Sequence, residues 1–174
     1  MRIFLDRLYQ VSGVLAAISV LLICGVVSLQ VIFNIITRLR IFDVNLTIPS
    51  YADLSGYFLA AASFLALAYT LRRGGHIRVT LFLSMIGGRT RYLADMLSLA
   101  VCLLISGGAA YYMARLNYDS FRFDDKSPGI LAIPIWIPQL SLTIGLVILT
   151  IAFADLLASG LREGKPLPES QGSE

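Results

Sequence analysis

The chain has almost none of the residues from which catalytic or redox centres are assembled. It holds one histidine, His76, and two cysteines, Cys24 and Cys102, in 174 residues. A single histidine excludes a pair of axial haem ligands on two helices and a histidine-rich metal site built by one chain. Each cysteine sits inside an apolar run without metal-ligand spacing, so both are expected as reduced thiols acting as small hydrophobes. No Walker loop, serine–histidine–aspartate set or HExxH stretch occurs. Asp124-Asp125 is an isolated acidic pair, expected as solvated loop charge. The expectation is a protein without catalytic residues, cofactor or metal, and not an enzyme. Charge is also scarce. Only 14% of residues are charged and 57% are hydrophobic, with mean hydropathy +0.77, whereas a soluble domain carries about a quarter charged residues. Lipid is therefore the expected solvent. The net charge of +3 does not point to nucleic acid, because the basic residues fall in the gaps between apolar runs, where they orient a membrane protein.

What is present is four long apolar stretches. Arg2 and Arg7 precede the first, which imitates a secretory signal but runs from Val11 to Ile36, well beyond the roughly 7–15 residues of a signal's apolar region. The sequence predicts an all-α integral membrane protein with spans at about 11–37, 54–71, 92–114 and 135–157. Residues 1–160 form one four-helix membrane domain, and 161–174 form a disordered cytoplasmic tail. The connector from Arg38 to Ser55 is too polar to span but keeps Ile41, Phe42, Leu46 and Ile48, so it is expected along the interface. The stretch HIRVTLFLSMIG after the second span reads as a second amphipathic connector. Asp53 or Ser55 is the expected cap of the second span, and Arg115 to Ser127 reads as a charged connector. Trp136, Tyr111, Tyr112 and Tyr118 suit an interfacial aromatic belt.

Four spans bring both termini to one side. Nine basic residues (Arg2, Arg7, Arg72, Arg73, Arg78, Arg89, Arg91, Arg162, Lys165) share that side, and five (Arg38, Arg40, Arg115, Arg122, Lys126) face the other. The excess predicts that both termini are cytoplasmic.

Two patterns suggest surfaces made for packing. Gln30, Asn34 and Arg38 are spaced by four and share a helix face. Gln30 lies about 12 Å deeper than Arg38 along the axis, where an amide needs a partner from the same bundle or from a second protein. Asp95 and Asp155, near helix ends, read as anchors or as partners for Arg72 or Arg73. The second span is thin, with Gly56, Ala60, Ala61, Ala62, Ser63, Ala66 and Ala68. On the third, Ser98, Cys102, Ser106 and Ala110 recur every fourth residue, and small residues let backbones approach closely in lipid.

The most specific stretch is AAASFLALAYTLRRGGHIRVTLF, Ala60 to Phe82. An apolar run stops at Arg72-Arg73, breaks at Gly74-Gly75, and continues into His76 and Arg78. Here the sequence resembles the small membrane subunit, of the DctQ type, of tripartite ATP-independent periplasmic (TRAP) transporters. Members show an acidic residue opening the second span, an alanine-rich FLxxAxALRRGxHIRVD-like run, and a later basic pair. Asp53 resembles the acidic position, Phe64 to Val79 the run, and Arg89 with Arg91 the pair. Thr80 stands where an acidic residue is usual, and Ser55-Gly56 replaces a stretch that often carries an arginine.

The resemblance implies a non-catalytic subunit of a sodium-coupled importer of organic anions in a bacterial or archaeal inner membrane. A large membrane subunit would hold the substrate and sodium sites and move as an elevator. A periplasmic binding protein would deliver the anion, and the small subunit would act as scaffold and help docking. Arg72, Arg73, His76 and Arg78 would then be an ordering and contact run, with Asp53, Gln30 and Asn34 as further packing candidates. Arg89, Arg91 and Trp136 would meet phospholipid headgroups. The rival expectations are a self-sufficient oligomeric carrier or channel and, disfavoured by the lone histidine, an anchor for an electron-transfer enzyme.

Overall fold

In lipid each backbone N–H and C=O must be satisfied within its own segment, so the apolar runs become helices even where β-branched residues are frequent. The computed structural model describes residues 2–39, 47–73 and 88–163. They form α1 (Arg2–Arg38), α2 (Tyr51–Arg72), α3 (Gly88–Arg122) and α4 (Trp136–Glu163). All four are long and apolar enough to cross a membrane, and no strand occurs among the described residues. The connector residues 40–46, the amphipathic stretch 74–87 and the tail residues 164–174 lie outside the described residues.

The helices outrun the apolar stretches. With 37 residues, α1 is about 55 Å long at 1.5 Å per residue, against a hydrocarbon core of about 30 Å. Helix α3 continues through residues 115–122, which sequence reading assigned to a connector. Asn117 explains part of this extension, because its amide donates to the Trp136 carbonyl at 2.9 Å and ties the overhang to α4. The helix stops where Asp124 adopts a left-handed conformation (φ 52°) and the Asp125 N–H reaches the Ser120 carbonyl at 3.1 Å, the bond of a Schellman cap. Likewise, α4 carries the chain to Glu163, into the predicted tail.

The main contacts run α1 to α2, α2 to α4 and α4 to α3, and α1 touches α4 lightly. The four helices therefore stand in a row rather than around a shared axis. Small side chains make the row tight. Ser12, almost fully buried, donates to the Leu65 carbonyl across α1 and α2, and Ala16 packs on Ala61 and Leu65. Gly13 lies under the Tyr69 ring, where an added Cβ would come within 2.8 Å. A Cβ on Gly145 of α4 would come within 2.7 Å of the Phe64 backbone of α2, so that crossing admits only glycine. Met96, Leu99, Ser106 and Ala110 of α3 are buried, with Gly107 opposite Thr150 and Met96 over Gly160 of α4.

Of the small residues of α2, Ala61, Ala62 and Ala68 are buried within the chain, whereas Gly56 and Ser63 are exposed. On α3 the four-residue pattern holds only for Ser106 and Ala110, because Ser98 is exposed and Cys102 half-buried. A strict repeat of four drifts by about 40° per step on a 3.6-residue helix, so the stripe rotates out of the contact.

At the end of the row that holds the α1–α2 and α3–α4 connections, loop 123–135 is built onto the start of α2. Tyr57 Oη donates to Ser127 Oγ at 2.8 Å, and the Leu131 N–H donates to Ser50 Oγ at 3.1 Å. Ser50, left-handed at φ 55°, is the residue before α2, and it makes no side-chain cap bond because its hydroxyl serves Leu131. Neither Asp53 nor Ser55 caps this helix, contrary to the sequence expectation: the chain turns earlier, at Pro49-Ser50, which leaves Asp53 in the first turn. A carboxylate there favours the positive end of the helix.

Candidate functional site

The residues singled out in the sequence fall at two opposite ends of the row. Arg72 and Arg73 close α2, while Asp53 opens it, about 28 Å away along the axis. Asp53 meets loop 123–135, where a Cβ on Gly129 would collide with its Oδ2. Gln30 and Asn34 belong to that same end. Gln30 is 4% exposed, and its amide is satisfied inside the chain: Nε2 donates to Asn34 Oδ1 at 3.1 Å, and Oε1 accepts from the Ile48 N–H at 2.8 Å. The connector backbone, not another helix, partners its oxygen, and Asn34 is left exposed beside it. Trp136 opens α4 with its ring edge-on to Phe121 at 5.6 Å between centroids.

The other end carries the charge. Arg72 occupies the point where α1, α2 and α4 converge. Its Nη2 is 2.9 Å from Asp6 Oδ1 of α1, and its Nη1 is 3.4 Å from Asp155 Oδ2 of α4. The same guanidinium lies 5.4 Å from the ring centroid of Tyr9. Tyr9 itself is buried among Ala68, Ile148 and Ala152. One cation thus holds two carboxylates and an aromatic face from two other helices, a clamp on the row. The expected pairing of Asp155 with Arg72 is present, whereas Asp95 has no ion-pair partner among the described residues.

Arg73 is placed differently. It is exposed, ends the helix with its N–H on the Tyr69 carbonyl at 3.1 Å, and lays its guanidinium over the Tyr69 ring at 5.1 Å. Asp6, Tyr9, Gln10, Tyr69, Arg72 and Arg73 line an open cleft of about 380 Å³ between α1 and α2. His76 and Arg78 lie outside the described residues, as do the side chains of Arg89 and Arg91 at the start of α3. No group of three or more histidine, cysteine, aspartate or glutamate side chains able to hold a metal occurs among the described residues.

Sequence reading missed Asp6 and Tyr9. Their spacing of three puts them on one face of α1, a signal that becomes readable only once α1 is known to lie beside Arg72. The arrangement is a cluster of ion pairs and cation–aromatic contacts between helices. It can join helices and present an edge of mixed charge.

The faces of the row carry the remaining information. Within the most apolar stretch of each helix only 17% to 22% of residues are buried by the chain itself. Leu21, Val31, Ile35, Leu97, Leu104 and Ile105 are among the large apolar side chains left exposed. Such faces require lipid or another membrane protein. No curated protein matches this chain. A family model does match, over residues 23–163, that of the tripartite ATP-independent periplasmic transporters, DctQ component. The match runs from the middle of α1 to the last residue of α4 and so takes in every helix of the row. This multi-pass membrane protein belongs to the DctQ family, the small membrane component of TRAP transporters.

Proposed function

We propose that the chain is the non-catalytic small permease subunit of a sodium-coupled secondary transporter that imports organic anions, carboxylates or similar. It acts as scaffold for a large membrane subunit that carries the substrate and sodium sites, and it helps dock the periplasmic binding protein. Both termini face the cytoplasm, and the membrane is the inner membrane of a bacterium or archaeon. The observation that carries this reading is the row of four helices with two broad apolar faces left uncovered by the chain itself. An autonomous carrier needs an ionisable or broken-helix site near mid-membrane, and the described polar clusters lie at the ends of the row instead.

Within this reading the predicted contact residues divide by role. Arg72 orders the row through Asp6 and Asp155, and Gln30 orders the first connector. Asp53 orders loop 123–135, against Gly129. Arg73, His76 and Arg78 form the basic edge available to a neighbour, and Asn34 is the exposed polar residue at the opposite end. Arg89, Arg91 and Trp136 sit at headgroup depth and contact phospholipid.

Gentle extraction from the native membrane tests the proposal. A larger polytopic protein should co-purify in fixed stoichiometry, and anion uptake into liposomes should require that partner, a sodium gradient and the binding protein. Uptake by this chain alone would identify it as an oligomeric carrier and overturn the proposal.

A further inference from the structure

We infer that the cleft between α1 and α2 at the Arg72 end is a binding site for a phospholipid with a primary-amine headgroup, such as phosphatidylethanolamine. The inference rests on the reading that this end lies at headgroup depth.

The cleft presents charges of both signs on opposite walls. On α2, Arg73 is exposed and has no carboxylate partner among the described residues. Its guanidinium is oriented by the Tyr69 ring, which is itself fixed over Gly13. A fork of N–H donors held in this way suits a phosphodiester. On α1, Asp6 gives Oδ1 to Arg72, its side chain remains 58% exposed, and Oδ2 has no ion-pair partner among the described residues, so it can accept from an ammonium. The second arginine of the cleft is already balanced by Asp6 and Asp155. Because Arg72 is shared between two carboxylates, an anionic headgroup would add a further negative charge beside Asp6, whereas a zwitterion satisfies both walls.

Two further observations point to a ligand. Tyr9 lines the cleft and is 2% exposed, yet its hydroxyl has no hydrogen-bond partner. Buried polar atoms normally have one, and a headgroup oxygen or its bridging water completes it. From Asp6 the exposed surface of α1 continues through Gln10, Val14 and Ile18, a strip that winds round the helix by about 40° per step. Gln10 is exposed and lines the cleft, and Val14 and Ile18 are exposed apolar residues deeper in the membrane. A polar entrance followed by an open apolar track is the profile of a headgroup with its acyl chain, so the lipid rather than a free phosphate ester is the ligand.

The full-length protein in detergent, titrated with phosphatidylethanolamine, phosphatidylcholine or phosphatidylglycerol of identical acyl chains and read by native mass spectrometry, tests this site. Phosphatidylethanolamine adducts should exceed phosphatidylcholine adducts by about two- to fivefold, the range set by one partly exposed charge pair, because a quaternary ammonium cannot donate to Asp6. Arg73→Gln and Asp6→Asn should each reduce phosphatidylethanolamine retention to the phosphatidylcholine level. Arg122→Gln, an exposed residue at the opposite end, should leave it unchanged. Far-UV circular dichroism checks that the variants keep their helices, and Arg73→Lys should restore part of the retention.

Equal retention of the three lipids, preference for phosphatidylglycerol, or a preference that survives both variants would overturn the site. Soluble phosphoethanolamine that competes as well as the lipid would overturn it also. These readouts need no large subunit, so failure of the lipid site leaves the scaffold role standing. Conversely, a chain that selects the amine headgroup yet transports an anion unaided would keep the lipid site and lose the scaffold role.

Discussion

Replacing Arg72 with glutamine removes a single cation from three interactions at once, and their geometry sets the expected loss. The pair with Asp6 is short but exposed, which makes it worth about 0.2–1 kcal/mol. Asp155 is only 20% exposed, and leaving a half-buried carboxylate without its partner costs about 1–3 kcal/mol. The contact with the Tyr9 face adds about 0.5–1 kcal/mol. Together the substitution should destabilise the protein by about 2–5 kcal/mol, measured as the shift of an unfolding titration in mixed micelles. The clamp predicts more than a loss. Arg72→Gln combined with Asp155→Asn should recover part of the stability, because the second change removes the orphaned charge, with a coupling of about 1–2 kcal/mol. If the single variant unfolds like the wild type, or the two changes simply add, Arg72 does not hold the row together.

Other positions give sharper contrasts. Gly145→Ala should destabilise by about 1–3 kcal/mol, since the new Cβ would lie 2.7 Å from the Phe64 backbone. Gly25→Ala, where nothing lies within 4 Å, should be neutral or stabilising by up to about 1 kcal/mol in the same titration. Ser12→Ala should cost about 0.6–2 kcal/mol by losing the bond to the Leu65 carbonyl. Gln30→Leu frees the Ile48 N–H, so hydrogen exchange at residues 47–50 should speed up while recovery of the large subunit stays unchanged.

The four helices were readable because hydropathy and length alone decide whether a segment can cross a membrane. Their lateral order was not, because faces turned to lipid and faces turned to another helix are equally apolar. Only the smallest side chains betrayed it: Ala61, Ala62 and Ala68 did mark contacts of α2, and Ser106 and Ala110 marked those of α3. Gln30 illustrates the limit of reading polarity. Its depth announced the need for a partner, but that partner is a backbone N–H in a connector, and backbone donors leave no residue signature. The basic run around Arg72 stood out as a charge pattern, and Asp155 was within reach of its helix end. Asp6 and Tyr9 gained meaning only from the antiparallel pairing of α1 with α2. The ends of α3 and α4 ran past their apolar stretches, because tertiary bonds such as Asn117 to Trp136 extend a helix where hydropathy has already fallen.

Native mass spectrometry of the protein released gently from its own membrane reaches the scaffold role most directly. The expected result is one assembly in which this chain accompanies a larger polytopic subunit at constant ratio, with no transport when the chain is reconstituted alone. A stable homo-oligomer that moves an organic anion unaided would contradict it.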